Sequence, residues 1–176
     1  MGTKIKGVLV VLLALSVVCL DQYTKWYTTT NIPLINPYDL VYPYNGIGVF
    51  ENFLGIEFSI SHVENRGAAW GVFSDHQILL IYVRLALIVG LICYAAWSAK
   101  ARQWWVPLGL IIAGASSNVL DYFLYGHVVD MLHAVLWGYD FPVFNIADSS
   151  VFLGVAWITL SSLCASNQET HEKHSV

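Results

Sequence analysis

Long apolar runs constrain the fold of this chain more than any other feature. Three of them, Ile78–Ala99, Trp104–Leu120 and Ser149–Ser166, contain 22, 17 and 18 residues. A bilayer core of about 30 Å needs roughly 20 helical residues, so each run is close to spanning length. Only 11% of the 176 residues are charged, whereas soluble domains carry about 25%. The sequence therefore predicts one integral membrane domain.

The first apolar run, Gly7–Leu20, has only 14 residues and would extend about 21 Å as a helix, which is too short to span. It is either a signal peptide ending at Cys19, or part of a longer helix that continues through "DQYTKW". Val18 is branched where cleavage favours a small residue, so the continuous helix is preferred. Asp21 then lies inside the membrane near one end.

The predicted fold is an all-α membrane bundle of four transmembrane helices with a small extracytoplasmic β-sheet on its outer face. The segment "GIEFSISHVE" alternates apolar and polar residues, which is typical of a half-solvated strand. The single domain, 1–176, divides into helices at 5–26, 77–99, 104–123 and 145–166, an external β segment at 30–76, an external loop at 124–143 and a polar, disordered tail at 167–176.

The orientation follows from basic residues in the short flanks of the helices. An inside N-terminus leaves two of them outside, Lys25 and Arg66, and puts five in the cytoplasm: Lys4, Lys6, Lys100, Arg102 and Lys173. We therefore expect both termini in the cytoplasm. Asp21, Asp121 and Asp148 then lie at the outer membrane boundary, on the same side as Asp130 in the external loop.

Two of these carboxylates, Asp130 and Asp148, are 18 residues apart, close enough in sequence for the chain to fold back and bring them together. Two adjacent carboxyl groups share one proton, which provides a base and an acid at neutral pH. Such a pair can activate a water for peptide hydrolysis. The alternative for Asp148 is a helix cap, since "NIADSS" is rich in capping residues.

Other chemistries fit the sequence less well. His127, Asp130 and His133 are spaced by three and would share a helix face, as metal ligands do, but "HVVD" also reads as a strand, which would separate them. Intramembrane carboxylates also occur in ion- or proton-coupled transporters. A transport path needs polar groups through the membrane, and the inner halves of three helices offer few. We predict no metal or cofactor.

Five short motifs, in order along the chain, resemble those of the lipoprotein signal peptidase (signal peptidase II) family. They are "DQYTK" from Asp21, "NRGAAWG" from Asn65, "SNVLD" ending at Asp121, "VVD" ending at Asp130 and "FNIAD" ending at Asp148. Each motif alone is weak. Together, on four predicted spans, they cover essentially the whole chain.

The resemblance implies an aspartyl endopeptidase of the bacterial cytoplasmic (inner) membrane, with its site on the outer face. We expect a monomer, and no nucleic-acid partner, since the eight Lys and Arg residues are scattered and form no basic patch. Its substrate would be a prolipoprotein whose cysteine carries diacylglycerol, cut just before that cysteine and held among membrane lipids. Asp130 and Asp148 would be catalytic. The substrate-binding and supporting residues would be Asp21, Lys25, Asn65, Arg66, Gly67, Ala68, Asn118, Asp121 and Asn145.

The chain departs from this family after its third-helix aspartate. The family usually has an arginine at this position, where this chain has Tyr122, and the approach to Asn118 is "AGASS" rather than glycine-rich. We expect that another arginine supplies the cation near Asp121. Arg66 is the first candidate and Arg84 the second.

Overall fold

A computed structural model describes residues 2–36, 38–39, 41–67 and 76–174, with side chains up to residue 164. In this part of the chain, four helical segments are long and apolar enough to cross a membrane. The helices are α1 (Thr3–Asn31), α2 (Gln77–Trp97), α3 (Trp105–Tyr125, preceded by a 3₁₀ turn at Ala99–Trp104) and α4 (Ile146–His174). Most of their outer leucine, isoleucine and valine side chains are exposed, as expected for surfaces that contact lipid. The predicted four-helix bundle is confirmed.

Helix α1 continues well past its apolar run. It passes without a break through Asp21 and Lys25, both of which are fully buried, and ends at Asn31. The two side chains are one helical turn apart and form an ion pair at 2.6 Å. Because each also has partners on α3, the charges are compensated at membrane depth, and the helix does not need to stop at the first carboxylate.

At the other end of the chain, the expectation of a disordered tail at 167–176 was wrong for most of its length. Helix α4 continues to His174, and only the last two residues lie outside the described part. The segment "NQETHEKH" contains no proline or glycine, and several of its residues are good helix formers. The helix that starts in the apolar run therefore continues through it.

Helix α3 is the centre of the bundle, since it packs against α1, α2 and α4. Its approach to α4 is close because two glycines lie at the interface. A Cβ on Gly114 would overlap the Ala147 carbonyl oxygen, and one on Gly154 would come within 2.6 Å of the Pro107 carbonyl oxygen. Small residues allow helix backbones to approach each other in membranes. This contact sets the first turn of α4 directly against α3.

The external sheet has four antiparallel strands in sequence order: β1 (Ile47–Phe53), β2 (Ile56–Asn65), β3 (Val128–Leu136) and β4 (Tyr139–Asp140). The sheet was predicted, but the expectation of a simple loop at 124–143 was wrong. Gly126, with φ of 78°, ends α3 in the left-handed conformation that glycine tolerates. The segment "VVDMLHAVL", which contains three valines, then pairs along β2, which gives it a partner that a lone loop would lack.

The same strand fixes the start of α4. The amide of Leu132 donates to the carbonyl of Phe144 at 2.7 Å, and the amide of Phe144 donates back at 3.1 Å. Asn145 follows directly. The backbone pairing therefore holds the beginning of α4 beside β3, so that two segments separated in sequence meet at the end of the bundle that carries the sheet.

Candidate active site

Asp148 is both a helix cap and a residue of the site. Its amide donates to Asn145 Oδ1 at 2.8 Å, while its own Oδ2 accepts the Asn145 amide at 3.3 Å. This reciprocal arrangement is a capping box at the start of α4. The other carboxylate oxygen, Oδ1, accepts a hydrogen bond from Asn118 Nδ2 at 2.7 Å. Capping therefore orients the carboxylate without occupying both of its oxygens with the helix.

Asn145 links this carboxylate to the second one. Its Nδ2 donates to Asp130 Oδ1 at 2.7 Å, and it also lies 3.1 Å from Asn118 Oδ1. One buried amide thus contacts Asp130 through its nitrogen and holds Asp148 through its oxygen. We call Asp130 and Asp148 the aspartate pair.

Asp130 lies on β3, and only 1% of its surface is exposed. Its Oδ2 accepts a hydrogen bond from Asn65 Nδ2 at 2.9 Å, across the β2–β3 pairing. Burial, followed by the charge of Asp148, raises the pKa of Asp130 to about 7, against the lowering effect of the two amide donors. Asp130 is therefore able to hold a proton at neutral pH.

A second polar group, the ion cluster, lies next to the pair and consists of Asp21, Lys25 and Asp121. The ammonium nitrogen of Lys25 is 2.6 Å from a carboxylate oxygen of each aspartate, and it donates to Asn118 Oδ1 at 2.8 Å. All three members are 0% exposed. With its three donors used, Lys25 fixes the oxygen of Asn118 and turns the amide nitrogen toward Asp148.

The two aspartates of the ion cluster also hold the backbone of the site. Asp21 Oδ1 accepts the amide of Ala147, in the first turn of α4, at 2.8 Å. Asp121 Oδ2 accepts the amide of Val129, next to Asp130, at 3.3 Å. Each member of the aspartate pair therefore has a neighbouring backbone amide tied to the ion cluster.

The aspartate pair opens onto a cavity of about 540 Å³. The polar part of its lining consists mainly of the pair with Asn65, Asn118 and Arg84. The rest is mainly apolar, with Phe141, Phe144, Phe152 and Leu153 among the lining residues. A polar end with titratable groups and a long apolar wall suits a substrate that is part peptide and part lipid.

The residues predicted to support the site fall into three groups. Six of them converge on the pair: Asp21, Lys25, Asn65, Asn118, Asp121 and Asn145. Gly67 supports one of these, since its amide donates to Asn65 Oδ1 at 2.9 Å. Ala68 lies outside the described residues. Arg66 does not reach the pair: its guanidinium is 62% exposed and contacts Glu64 at 3.4 Å.

The hypothesis that Arg66 or Arg84 supplies the cation near Asp121 was wrong. Lys25, already within the first motif, pairs with Asp121 directly. Lysine at this position can reach both aspartates because α1 and α3 pack together. Arg84 instead donates to the Gly67 carbonyl at 3.3 Å.

Sequence reasoning missed two polar residues of α1 and α3 that complete the ion cluster. Ser117 donates to Asp21 Oδ2 at 2.7 Å, and Gln22 Nε2 donates to Asp121 Oδ1 at 2.6 Å. Each is adjacent in sequence to a predicted site residue. That adjacency, in helices otherwise poor in polar groups, was the available signal.

The predicted alternative of a helical His127–Asp130–His133 face was also wrong. Asp130 and His133 lie on strand β3 at odd spacing and point to opposite faces. His133 contacts Ser61 at 3.3 Å and Asp140 at 2.9 Å, away from the aspartate pair.

Comparison with known proteins identifies the family. Residues 13–164 match the family described as signal peptidase (SPase) II. Lipoprotein signal peptidases of Staphylococcus aureus strains JH9 and Newman are each 33% identical over 154 residues, covering 87% of this chain and 86% of theirs.

Two solved structures have the same architecture. A bacterial membrane enzyme structure at 2.3 Å resolution superposes with a TM-score of 0.76 and 31% identity, covering 90% of each chain. A second, at 1.9 Å resolution, has a TM-score of 0.69 and 32% identity, covering 88% of this chain and 92% of the other. The chain therefore belongs to the signal peptidase II family of multi-pass membrane enzymes, and it is an aspartic peptidase that processes lipoproteins.

Proposed function

We propose that Asp130 and Asp148 share one proton and activate a water molecule, which hydrolyses the peptide bond just before the lipidated cysteine of a diacylglyceryl-modified prolipoprotein. The observation that carries this proposal is the geometry of the aspartate pair. Both carboxylates line one cavity, and Asn145 contacts both residues, since its Nδ2 donates to the Asp130 carboxylate while its Oδ1 accepts the backbone amide of Asp148. No covalent intermediate with the enzyme is needed.

Charge balance supports a shared proton. The aspartate pair and the ion cluster together contain four carboxyl groups, and Lys25 is the only cation within 4 Å of any of them among the described residues. Leaving several buried negative charges unbalanced would cost several kcal/mol. A proton retained on the pair reduces this cost, in agreement with the raised pKa of Asp130.

The surroundings of the two carboxyls favour different roles. Asp148 lies in the first turn of α4, where the helix dipole and the Asn145 amide stabilise negative charge. Asp130 is almost completely buried on a strand and holds its proton up to about pH 7. We assign Asp148 as the base that accepts a proton from water, and Asp130 as the acid.

The bond changes follow from this assignment. The water oxygen attacks the scissile carbonyl carbon while Asp148 takes a water proton, and Asp130 protonates the developing oxyanion. The tetrahedral intermediate then collapses: the amide nitrogen receives the proton held by Asp148, the C–N bond breaks, and a hydroxyl of the intermediate returns its proton to Asp130, so that the pair again holds one proton. Amide nitrogens of Asn65 and Asn118 lie at the same end of the cavity and would orient the substrate backbone and the oxyanion.

The position of the site suits a lipidated substrate. The pair lies at the end of the bundle where α3 ends and α4 begins, beside the sheet. The scissile bond of a prolipoprotein lies where its signal helix leaves the membrane, so its acyl chains can remain in lipid along the apolar wall. With both termini cytoplasmic, as the basic flanks predict, this end is the outer one.

Purified protein in detergent tests the proposal. A precursor carrying diacylglycerol should be cleaved before its cysteine, and the unmodified precursor should not. Asp130→Asn and Asp148→Asn should each lower the rate at least 10³-fold, the upper range for losing acid–base catalysis. Asp140→Asn is a matched control, because that carboxylate is 75% exposed and pairs with His133 on the other face of β3. Cleavage that persists in Asp148→Asn would contradict the shared-proton mechanism.

A further inference from the structure

Arg84 is the only charged residue of helix α2, seven positions from its first residue. A charged side chain within a membrane helix is costly to insert, and it therefore needs a partner or a function. Its side chain is half-buried and forms no ion pair with a carboxylate in the described part of the chain. It lies instead on the wall of the catalytic cavity.

Arg84 begins a line of three hydrogen bonds that ends at Asp130. Its Nη2 donates to the carbonyl of Gly67 at 3.3 Å, and the amide of Gly67 donates to Asn65 Oδ1 at 2.9 Å. Asn65 Nδ2 then donates to Asp130 Oδ2 at 2.9 Å. In each of the three bonds, an N–H group donates to a carbonyl, amide or carboxylate oxygen.

We propose that Arg84 is a positioning residue for Asp130, acting from the membrane helix α2 through the Gly67 backbone and the Asn65 amide. The inference rests on the proposed role of the aspartate pair. Arg84 does not have to touch the substrate or the reacting atoms for this role.

We call the contact of Arg84 with the Gly67 backbone the clamp. It is needed because the backbone is no longer held by strand pairing at the end of β2. Asn65 is the last residue of the strand, and ladder pairing with β3 stops there. Gly67 follows immediately, and a glycine backbone is the least restricted of any residue. The guanidinium of Arg84 holds the Gly67 carbonyl from a rigid helix. The Gly67 amide, which fixes the direction of the Asn65 side chain, is thereby held as well.

Two other charged groups lie close to Asp130, and their effects on its titration must be separated from that of Arg84. Asp148 faces it from α4 and Lys25 from α1, and both influence its titration; Arg84 approaches from α2. Loss of the Arg84 charge could act on Asp130 directly through space. Loss of the clamp acts only through Asn65, so the two effects differ when Asn65 has already been removed.

A double-mutant cycle with Arg84→Met and Asn65→Ala makes this distinction. Alone, Arg84→Met should lower kcat about tenfold, the equivalent of one hydrogen bond of about 1.4 kcal/mol, with KM changed less than twofold. It should also move the alkaline limb of the pH–rate profile upward, as should Asn65→Ala, because the Asn65 donor lowers the pKa of Asp130. On the Asn65→Ala background, Arg84→Met should change kcat less than twofold.

The control is Val83→Met, which places the same side chain at a neighbouring, 48% exposed position of α2. Arg84→Lys keeps the charge and a donor, and should recover most of kcat. Backbone amide exchange measured by mass spectrometry gives a readout that is independent of catalysis: residues 65–67 should exchange faster in Arg84→Met than in Val83→Met.

Additive effects of the two substitutions, with unchanged exchange at 65–67, would overturn the clamp. A raised KM with an unshifted alkaline limb would show substrate contact instead, and would also overturn it. Activity in Asp130→Asn would refute the proposed function, whereas the exchange measurement would still decide whether Arg84 holds this segment.

Discussion

Both the ion cluster and the aspartate pair consist mainly of aspartate side chains, but the negative charge of these carboxylates is compensated differently in the two groups. In the ion cluster, one ammonium satisfies two carboxylates, and all three groups are excluded from solvent. In the aspartate pair, the partners are neutral amides, and both carboxyls reach a cavity. Carboxylates paired with a cation become structural, whereas carboxylates held only by amides remain able to exchange protons.

The substitution expected to have the largest effect on stability is the one that removes the cation. Lys25→Met would leave Asp21 and Asp121 buried without a counter-charge, and breaking a buried ion pair from one side costs about 3–5 kcal/mol. We expect a large fall in the thermal unfolding midpoint in detergent, together with loss of activity, because Asn118 would no longer be oriented toward Asp148.

Asp148→Asn is the matched comparison for Lys25→Met. It should abolish cleavage, yet its unfolding midpoint should stay within a few degrees of the wild type, since an asparagine can still accept the Asn118 hydrogen bond. Equal destabilisation by the two substitutions would erase the distinction between structural and reactive carboxylates.

The second test uses pH. The pKa of Asp130 is about 7 in the folded chain, above its ordinary value of 3.8. The folded state therefore binds more protons than the unfolded state between these values, and stability must fall as pH rises through this window. A shift of this size corresponds to about 4 kcal/mol, and unfolding midpoints measured from pH 5 to pH 8 should decrease as most of this contribution is lost.

In Asp130→Asn this contribution disappears, so the variant should gain stability relative to the wild type as pH rises. Its unfolding midpoint should vary less between pH 5 and pH 8. A wild-type midpoint that instead rises over the same range would mean that the carboxylate is stabilised as a charge, like those of the ion cluster.

The sequence predicted the helices well because an apolar run of spanning length has few alternatives in a membrane. It also placed Asp121 and Asp148 near helix ends, where breaks in apolar character mark the boundary, whereas α1 continues ten residues beyond Asp21, which was expected to end it. Strand β3 was harder to predict. "VVDMLHAVL" becomes a strand because β2 is available as a partner, and that pairing is a long-range contact that local patterning does not contain.

The partner of Asp121 shows a second limit of sequence reasoning. Arg66 was the first candidate and Arg84 the second, whereas Lys25 lies one turn from Asp21 on the same helix. The structure gives Lys25 both aspartates. The packing of α1 against α3 determines which carboxylates contact one ammonium group. Residue spacing within a single helix does not indicate this.

The smallest test concerns Gln22, at the edge of the ion cluster. Its Nε2 donates to Asp121 Oδ1 at 2.6 Å and to the Ser117 hydroxyl at 3.0 Å, but its buried Oε1 has no hydrogen-bond partner among the described residues. Gln22→Met would remove useful donors and an unpaired acceptor at the same time. Since a made hydrogen bond contributes about 0.5–1.5 kcal/mol and an unmade one costs about 1–3 kcal/mol, the two effects nearly cancel.

We therefore expect Gln22→Met to shift the unfolding midpoint by no more than a few degrees, with cleavage largely retained. Ser117→Ala serves as the comparison, because it removes a donor to Asp21 and an acceptor for Gln22 and offers no compensating gain. It should be the more destabilising of the two. A loss in Gln22→Met as large as that in Lys25→Met would show that the ion cluster depends on the amide as much as on the cation, and that its stability does not come mainly from charge pairing.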